Sequence, residues 1–186
     1  MNLFDKYSQG LRYGEFIERY ADPGQKTRWQ SVHDSIELTP AQRALLGSFR
    51  RQMPVLCLAG AWCGDCINQC PIFEHFERVT PLIQVRYLDR DDHADAQKVL
   101  QINGGNRVPV LVFFSEDGHE VARYGERTLS KYRQMVRDQV GDSCATGIAL
   151  PGDALPAQIL QDWLDEFERV QWLLRLSSRL RQLHAD

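Results

Sequence analysis

No stretch of this 186-residue chain is apolar for long enough to cross a bilayer. The longest apolar run, residues 55–63, has nine residues against the ~20 of a spanning helix. Basic excess is missing too. A net charge of -3 and a pI near 6.0 speak against nucleic-acid binding through a broad basic surface. The opening residues, Met1-Asn2-Leu3-Phe4-Asp5-Lys6-Tyr7, hold no basic segment leading into an apolar one. No secretory signal is therefore expected, and the expected compartment is the cytoplasm. No internal repeat or low-complexity tract is found. No metal site is expected either, since the histidines at 33, 75, 93, 119 and 184 are scattered and none pairs at zinc-ligand spacing. The run Cys63, Cys66, Cys70-Pro71 resembles the tail of a ferredoxin cluster motif, but the position that would complete it is Gly60.

What is present is a globular composition, 43% apolar and 25% charged, in a length that suits one domain with something appended. Five cysteines stand out, and four of them (Cys57, Cys63, Cys66 and Cys70) fall within fourteen residues. A disulfide scaffold would spread them to staple distant loops. Clustering reads as a site.

Residues 1–53 read as a helical extension. Leu3, Phe4, Tyr7 and Leu11, then Phe16, Ile17 and Tyr20, give loose helical spacing. Asp22-Pro23-Gly24 reads as a turn, and Trp29, Val32 and Ile36 as a short helix. Thr39-Pro40-Ala41-Gln42 is a marked helix start whose buried face is expected from Leu45, Leu46, Phe49 and Met53. From 54 to 140 the order is β-α-β-α-β-β-α. Strands are expected at 55–59, 83–88, 110–114 and 120–124, and helices at 63–79, 92–101 and 129–140, with Asp91 or Asp92 capping the middle one. This is an α/β unit with a mixed sheet. A connector follows over 141–156, and then one long helix over 157–184 within a C-terminal segment 157–186. Trp163, Phe167, Leu173, Leu176 and Leu180 are expected to pack, with a homodimer contact through this helix as the alternative.

The chemistry sits in Trp62-Cys63-Gly64-Asp65-Cys66, where the first strand gives way to a helix. Two intervening residues let both sulfurs meet across one helical turn, so a disulfide can form and break with little rearrangement. At the helix N-terminus, free N–H groups and the helix dipole favour a thiolate at Cys63. The thiolate is the attacking species in thiol–disulfide exchange. Cys66, one turn inside, suits the resolving step.

These residues make the chain resemble the thioredoxin superfamily. Trp62 precedes the motif, Pro71 lies five residues after Cys66, and Val108-Pro109 opens the third strand, as in that family. Gly125 falls where the family commonly has glycine. The Cys-Gly-Asp-Cys form is similar to a set of bacterial thioredoxin-like proteins. The resemblance covers 54–140 and implies a thioredoxin fold, a cis Pro109 and a disulfide oxidoreductase activity. Two departures matter. Asp65 replaces the usual proline, and a carboxylate there should disfavour a nearby thiolate and make the pair more reducing. Cys57 replaces a buried acid that helps move the resolving cysteine's proton. Cys57 and Cys70 read as packing residues, with Cys57 as a third redox sulfur the alternative. Cys144 reads as an exposed, inert connector residue, with an intermolecular or regulatory link as its alternative.

The expected function is a disulfide reductase in which Cys63 attacks and Cys66 resolves. Trp62, Gly64, Asp65, Val108 and Pro109 would bind a disulfide-containing protein or small molecule. An external reductase or thiol would restore the dithiol, and no organic cofactor is needed. The competing readings are a binding or adaptor module working through the helical extensions and, more weakly, a metal or cluster carrier.

Overall fold

Every residue of the strand Met53–Ala59 is buried, as an apolar run covered on both faces must be. The computed structural model describes residues 2–140 and 155–186. In chain order, α1 Leu3–Tyr7, α2 Tyr13–Tyr20, α3 Pro23–Asp34 and α4 Pro40–Gly47 precede β1 Met53–Ala59. α5 Gly64–Val79, β2 Ile83–Asp89, α6 Ala94–Val99, β3 Val110–Phe114, β4 Glu120–Gly125 and α7 Leu129–Val140 follow. α8 Leu155–Leu176 and α9 Ser178–His184 close the chain.

The sheet has the order β2-β1-β3-β4. β1 and β2 are parallel, from Met53 opposite Ile83 to Ala59 opposite Asp89, with α5 as their crossover. β3 is antiparallel to β1, and β4 to β3. The mixed α/β sheet expected from the strand pattern is the one observed. β1 sits centrally, so the loop leaving its C-terminal end, residues 60–63, is anchored by the best-packed part of the molecule.

Both helical extensions enter the core. On one side Phe16 and Tyr13 pack on Tyr87 of β2, with ring centroids 5.5 and 6.0 Å away, and Trp29 lies against both Phe16 and Tyr13. Leu11 exchanges backbone hydrogen bonds with Tyr87 at 2.9 and 2.8 Å, which covers part of the β2 edge. On the other side Phe167 of α8 meets Phe73, Phe76 and Phe113, and Trp163 stands edge-on to Phe73 at 4.7 Å and Tyr124 at 5.0 Å. Burying each such ring stabilises the fold by about 1.5–3 kcal/mol relative to exposure, so neither extension is a loose appendage.

Several local expectations are corrected. Asp22-Pro23-Gly24 is a helix start, not a turn. Asp22 accepts from Gln25 N–H at 2.8 Å while the Gln25 side chain accepts from Asp22 N–H at 2.9 Å, and Pro23 occupies the first turn. Thr39 and Gln42 cap α4 as expected. However, α4 ends at Gly47, so Phe49 lies beyond it and Met53 opens β1. α6 is shorter than expected, and neither Asp91 nor Asp92 caps it. Asp89 takes the N–H groups of both, at 2.8 and 3.2 Å, and forms a turn that leaves His93 at the cap position.

The single C-terminal helix is two. Ser177 accepts from Leu180 N–H at 3.4 Å and starts a new helix that turns Leu180 into the core. Leu173 and Leu176, expected to pack, are 44% and 77% exposed because the face they share points away from the sheet. The connector as far as residue 154, and Cys144 within it, lie outside the described residues, and Leu155 and Pro156 already belong to α8. Among the described residues no helix is long and apolar enough to cross a membrane.

Candidate active site

The strand-to-helix transition places Cys63 at the cap position of α5. Its carbonyl accepts the first helical bond, from Ile67 N–H at 2.9 Å, and its N–H reaches back to Gly60 C=O at 3.0 Å. Cys63 is half-buried, whereas Cys66, one turn on, is fully buried. The Val108–Pro109 peptide bond is cis. The Cys63 thiol points at Val108 C=O across 3.6 Å. Residues 45 positions apart in sequence thus share one surface.

Gly125 completes the floor beneath Pro109. Its φ is +153°, and a Cβ there would lie 3.0 Å from Val110 Cα and closer still to Pro109 C=O. Only glycine allows β4 to approach this loop. Trp62 forms the rim, 46% exposed, with the Arg90 guanidinium 4.5 Å above its ring centroid. Arg90 also donates to Asn106 C=O at 3.1 Å, which ties the tryptophan side of the rim to the segment leading to Val108. Gly64 meets no such constraint, since a Cβ there would find open space.

The two site sulfurs interact and titrate as a pair. A hydrogen bond with Cys66 and partial burial hold the Cys63 thiol up, while backbone N–H groups of Cys66 and Asp65 pull the other way. Burial opposes charge on Cys66, but hydrogen bonds with Cys63 and Cys70 outweigh it and lower its pKa. The first proton therefore leaves the pair readily and the second is retained. The Asp65 carboxylate is paired with Arg127 at 2.7 Å, and its charge opposes a thiolate at Cys66.

Three further supports were not legible beforehand. Trp29 Nε1–H donates to Ala61 C=O at 2.8 Å, so the N-terminal extension holds the turn before Trp62. From the opposite side, Trp163 Nε1–H donates to Gln69 Oε1 at 2.9 Å. Gln69 Nε2 in turn donates to Glu126 C=O at 3.0 Å and Asp65 C=O at 3.1 Å. Glu126 accepts from Arg127 at 2.9 Å and from Tyr132 at 3.1 Å. Trp29 and Trp163 could be read as apolar-face residues, but nothing in a linear sequence reveals where an indole N–H points. A cleft of about 550 Å³ runs beside this network, lined by Asp65, Asn68, Gln69, Ile72, Val32 and Leu160 among others.

Behind the pair, Cys57 and Cys70 are both fully buried, with their sulfurs 3.9 Å apart. Cys57 stands on β1 between Tyr87 and Leu111. Two of the scattered histidines do meet. His33 of α3 and His75 of α5 have ring centroids 4.4 Å apart, and His33 Nε2 lies 2.9 Å from Glu74. Their ligand atoms lie within 4.8 Å of one another, close enough to hold a metal ion. Each group also has a partner within the protein: His75 donates to His33 C=O at 3.0 Å, and Glu74 pairs with Arg78 at 2.7 Å.

A protein-family model described as Thioredoxin (Thioredoxin_9) matches residues 10–140, which takes in α2–α4 as well as the sheet. No curated protein matches the chain. Among solved structures it is similar to a protein of unknown function from Pseudomonas aeruginosa, at 15% identity and a TM-score of 0.64 over 86% of this chain and 95% of that one. An HIV epitope-scaffold protein is similar at 14% identity and a TM-score of 0.61, over 84% and 94% of the two chains. At such identities the likeness is one of fold. The family match, the mixed sheet and its flanking helices together establish that the chain belongs to the thioredoxin family Thioredoxin_9, with an α/β thioredoxin fold carrying helical extensions at both ends.

Proposed function

We propose that the protein is a thiol–disulfide oxidoreductase, acting as a reductase through the Cys63/Cys66 dithiol. The observation that carries this reading is the pairing of a half-buried Cys63 at the start of α5 with a fully buried Cys66 behind it and the Val108 carbonyl 3.6 Å from the Cys63 sulfur. The Cys63 thiolate attacks one sulfur of a substrate disulfide, the other sulfur leaves as a thiolate, and a mixed disulfide forms. Cys66, deprotonated, attacks the Cys63 sulfur and releases the second substrate thiolate. The pair ends oxidised and the substrate gains two electrons. The hydrogen bond with Cys66 and partial burial hold the Cys63 thiol up, and the helix N-terminus with the N–H groups of Cys66 and Asp65 works against them. Cys63 therefore becomes the attacking thiolate by passing its proton within the pair to Cys66.

Val108 and Pro109 offer backbone to an extended disulfide-containing segment, with Trp62, Gly64 and Asp65 as the rim. A disulfide-bearing protein or small molecule is the substrate class, and an external reductase or small thiol restores the dithiol. The Cys-Gly-Asp-Cys motif supports a place among bacterial thioredoxin-like proteins, and the proposed compartment is the cytoplasm. Exposed Trp172, Leu173, Leu176 and Leu183 on the C-terminal helices support a homodimer contact. Cys57 in place of a buried acid favours a second reading, an adaptor with little general reductase activity. A disulfide-reduction assay separates the two. The reductase reading expects turnover by wild type and loss of at least ~100-fold in Cys63→Ser and Cys66→Ser, whereas the adaptor expects equal background rates in all three.

A further inference from the structure

Four sulfurs lie in sequence from the surface into the core. Cys63 is at the rim, Cys66 is in contact with it, Cys70 interacts with Cys66 one turn further along α5, and Cys57 faces Cys70 from β1 at 3.9 Å. The proposed reductase cycle uses only the first two. The inner two are fully buried, and their sulfurs lie 3.9 Å apart. A disulfide bond is ~2.05 Å long, so joining them requires the two sulfurs to close from 3.9 Å.

We propose that Cys57 and Cys70 are a second dithiol, which takes up the oxidation of the outer pair by internal exchange and so lets the protein store two disulfides. The inference rests on the Cys63/Cys66 reading above. Starting from the Cys63–Cys66 disulfide, the Cys70 thiolate attacks Cys66 Sγ, the S–S bond to Cys63 breaks, and Cys63 leaves as a thiolate. Cys57, deprotonated, then attacks Cys70 Sγ, a Cys57–Cys70 bond forms, and Cys66 is released as a thiolate. One disulfide is broken and one is formed, and the two electrons lost by Cys57 and Cys70 are those gained by Cys63 and Cys66. The outer pair, again reduced, can reduce a second substrate disulfide.

Local structure supports the transfer at its hardest point. Cys66 and Cys70 are four residues apart on a helix, farther than a relaxed disulfide spans. Pro71, directly after Cys70, has no N–H for the Ile67 carbonyl, so this turn is short of one helical bond and gives more easily. Burial holds the Cys57 and Cys70 thiols above their ordinary range, which makes both slow nucleophiles. The inner disulfide therefore forms after the outer one.

The test uses the full chain as Cys144→Ser, which leaves four cysteines. It is oxidised with excess glutathione disulfide, and free thiols are counted after denaturation at successive times. The expected course is a fast loss of two thiols, a loss of the other two at least ~10-fold more slowly, and a peptide map joining residues 57 and 70. Adding Cys57→Ala, which removes the innermost sulfur and leaves the Cys66–Cys70 contact in place, should leave one thiol free while the fast loss of two thiols persists. Persistence of two thiols, mapped to Cys57 and Cys70, overturns the proposal while leaving the reductase reading intact. Persistence of all four overturns both.

Discussion

The Arg127 guanidinium closes on the Asp65 carboxylate at 2.7 Å, both side chains only one-fifth exposed. The Asp65 charge opposes a thiolate at Cys66. Asp65 is the residue that distinguishes the motif from the commoner proline form, and Arg127 offsets its charge. Replacing Arg127 by Gln removes a cation and leaves the carboxylate bare, and both changes oppose a thiolate at Cys66. The variant should be more reducing than wild type by about 10–30 mV, where 30 mV is ~1.4 kcal/mol. Equilibration with glutathione measures this, and Asp65→Asn in the same chain should reverse the shift. A move towards oxidising values in Arg127→Gln would contradict the assignment.

The indole bond from Trp29 to Ala61 makes a prediction about the N-terminal extension. Trp29→Phe keeps most of the ring and its packing but leaves a buried carbonyl without its donor. The expected cost is about 1–2 kcal/mol of stability. Because Ala61 precedes Trp62, disulfide reduction should slow as well, at temperatures where the variant is fully folded. Urea unfolding and a reduction assay on the same preparation separate the two effects. Unchanged turnover would mean that the extension stabilises the fold without positioning the site.

Gly125→Ala tests the close approach of β4 to Pro109. The added methyl group has no room beside Val110 Cα and Pro109 C=O, and the backbone conformation is one that alanine rarely adopts. A loss of about 2 kcal/mol or more in urea unfolding is expected, together with weaker substrate binding. Gly64→Ala is the control. It meets open space at the first position of α5, so its stability should stay within ~0.5 kcal/mol of wild type.

Glu77 of α5 makes stability depend on pH. Burial pushes its carboxyl up from 4.5 to about 7, against a hydrogen bond from Val85 N–H at 2.8 Å that favours the charged form. Between pH 4.5 and 7 the folded chain therefore binds more protons at this site than the unfolded chain. Stability from this group is present below about pH 4.5 and is lost as pH rises through about 7. Glu77→Gln keeps an acceptor for Val85 without the charge. It should flatten the decline between pH 5 and 7.5, by about 2 kcal/mol relative to wild type. Urea midpoints at the two pH values supply the check, and an identical decline in both proteins would contradict it.

The strands and the site cysteines were legible because each rests on a local signal. An apolar run sits between turn residues in β1, and β3 and the whole of α7 fall where the pattern put them. A two-residue cysteine spacing at a strand-to-helix boundary likewise carries its own geometry. The missed features are all products of long-range contact. Arg127 lies 62 residues from Asp65, and Gln69 meets Trp163 across 94 positions. Likewise, the apolar spacing from 157 to 184 could not show that Ser177 restarts the helix. His33 and His75 are brought together only by the packing of α3 on α5.

The account stands on Cys63 as the attacking sulfur and Cys66 as the resolving one, and trapping reads this directly. The full chain as Cys66→Ser, and separately as Cys63→Ser, is incubated with a disulfide-bonded test protein, alkylated, and analysed by non-reducing mass spectrometry. Cys66→Ser should accumulate a mixed disulfide mapped to Cys63, and Cys63→Ser should accumulate none above background. A mixed disulfide on Cys66, or none in either variant, would contradict the proposed roles.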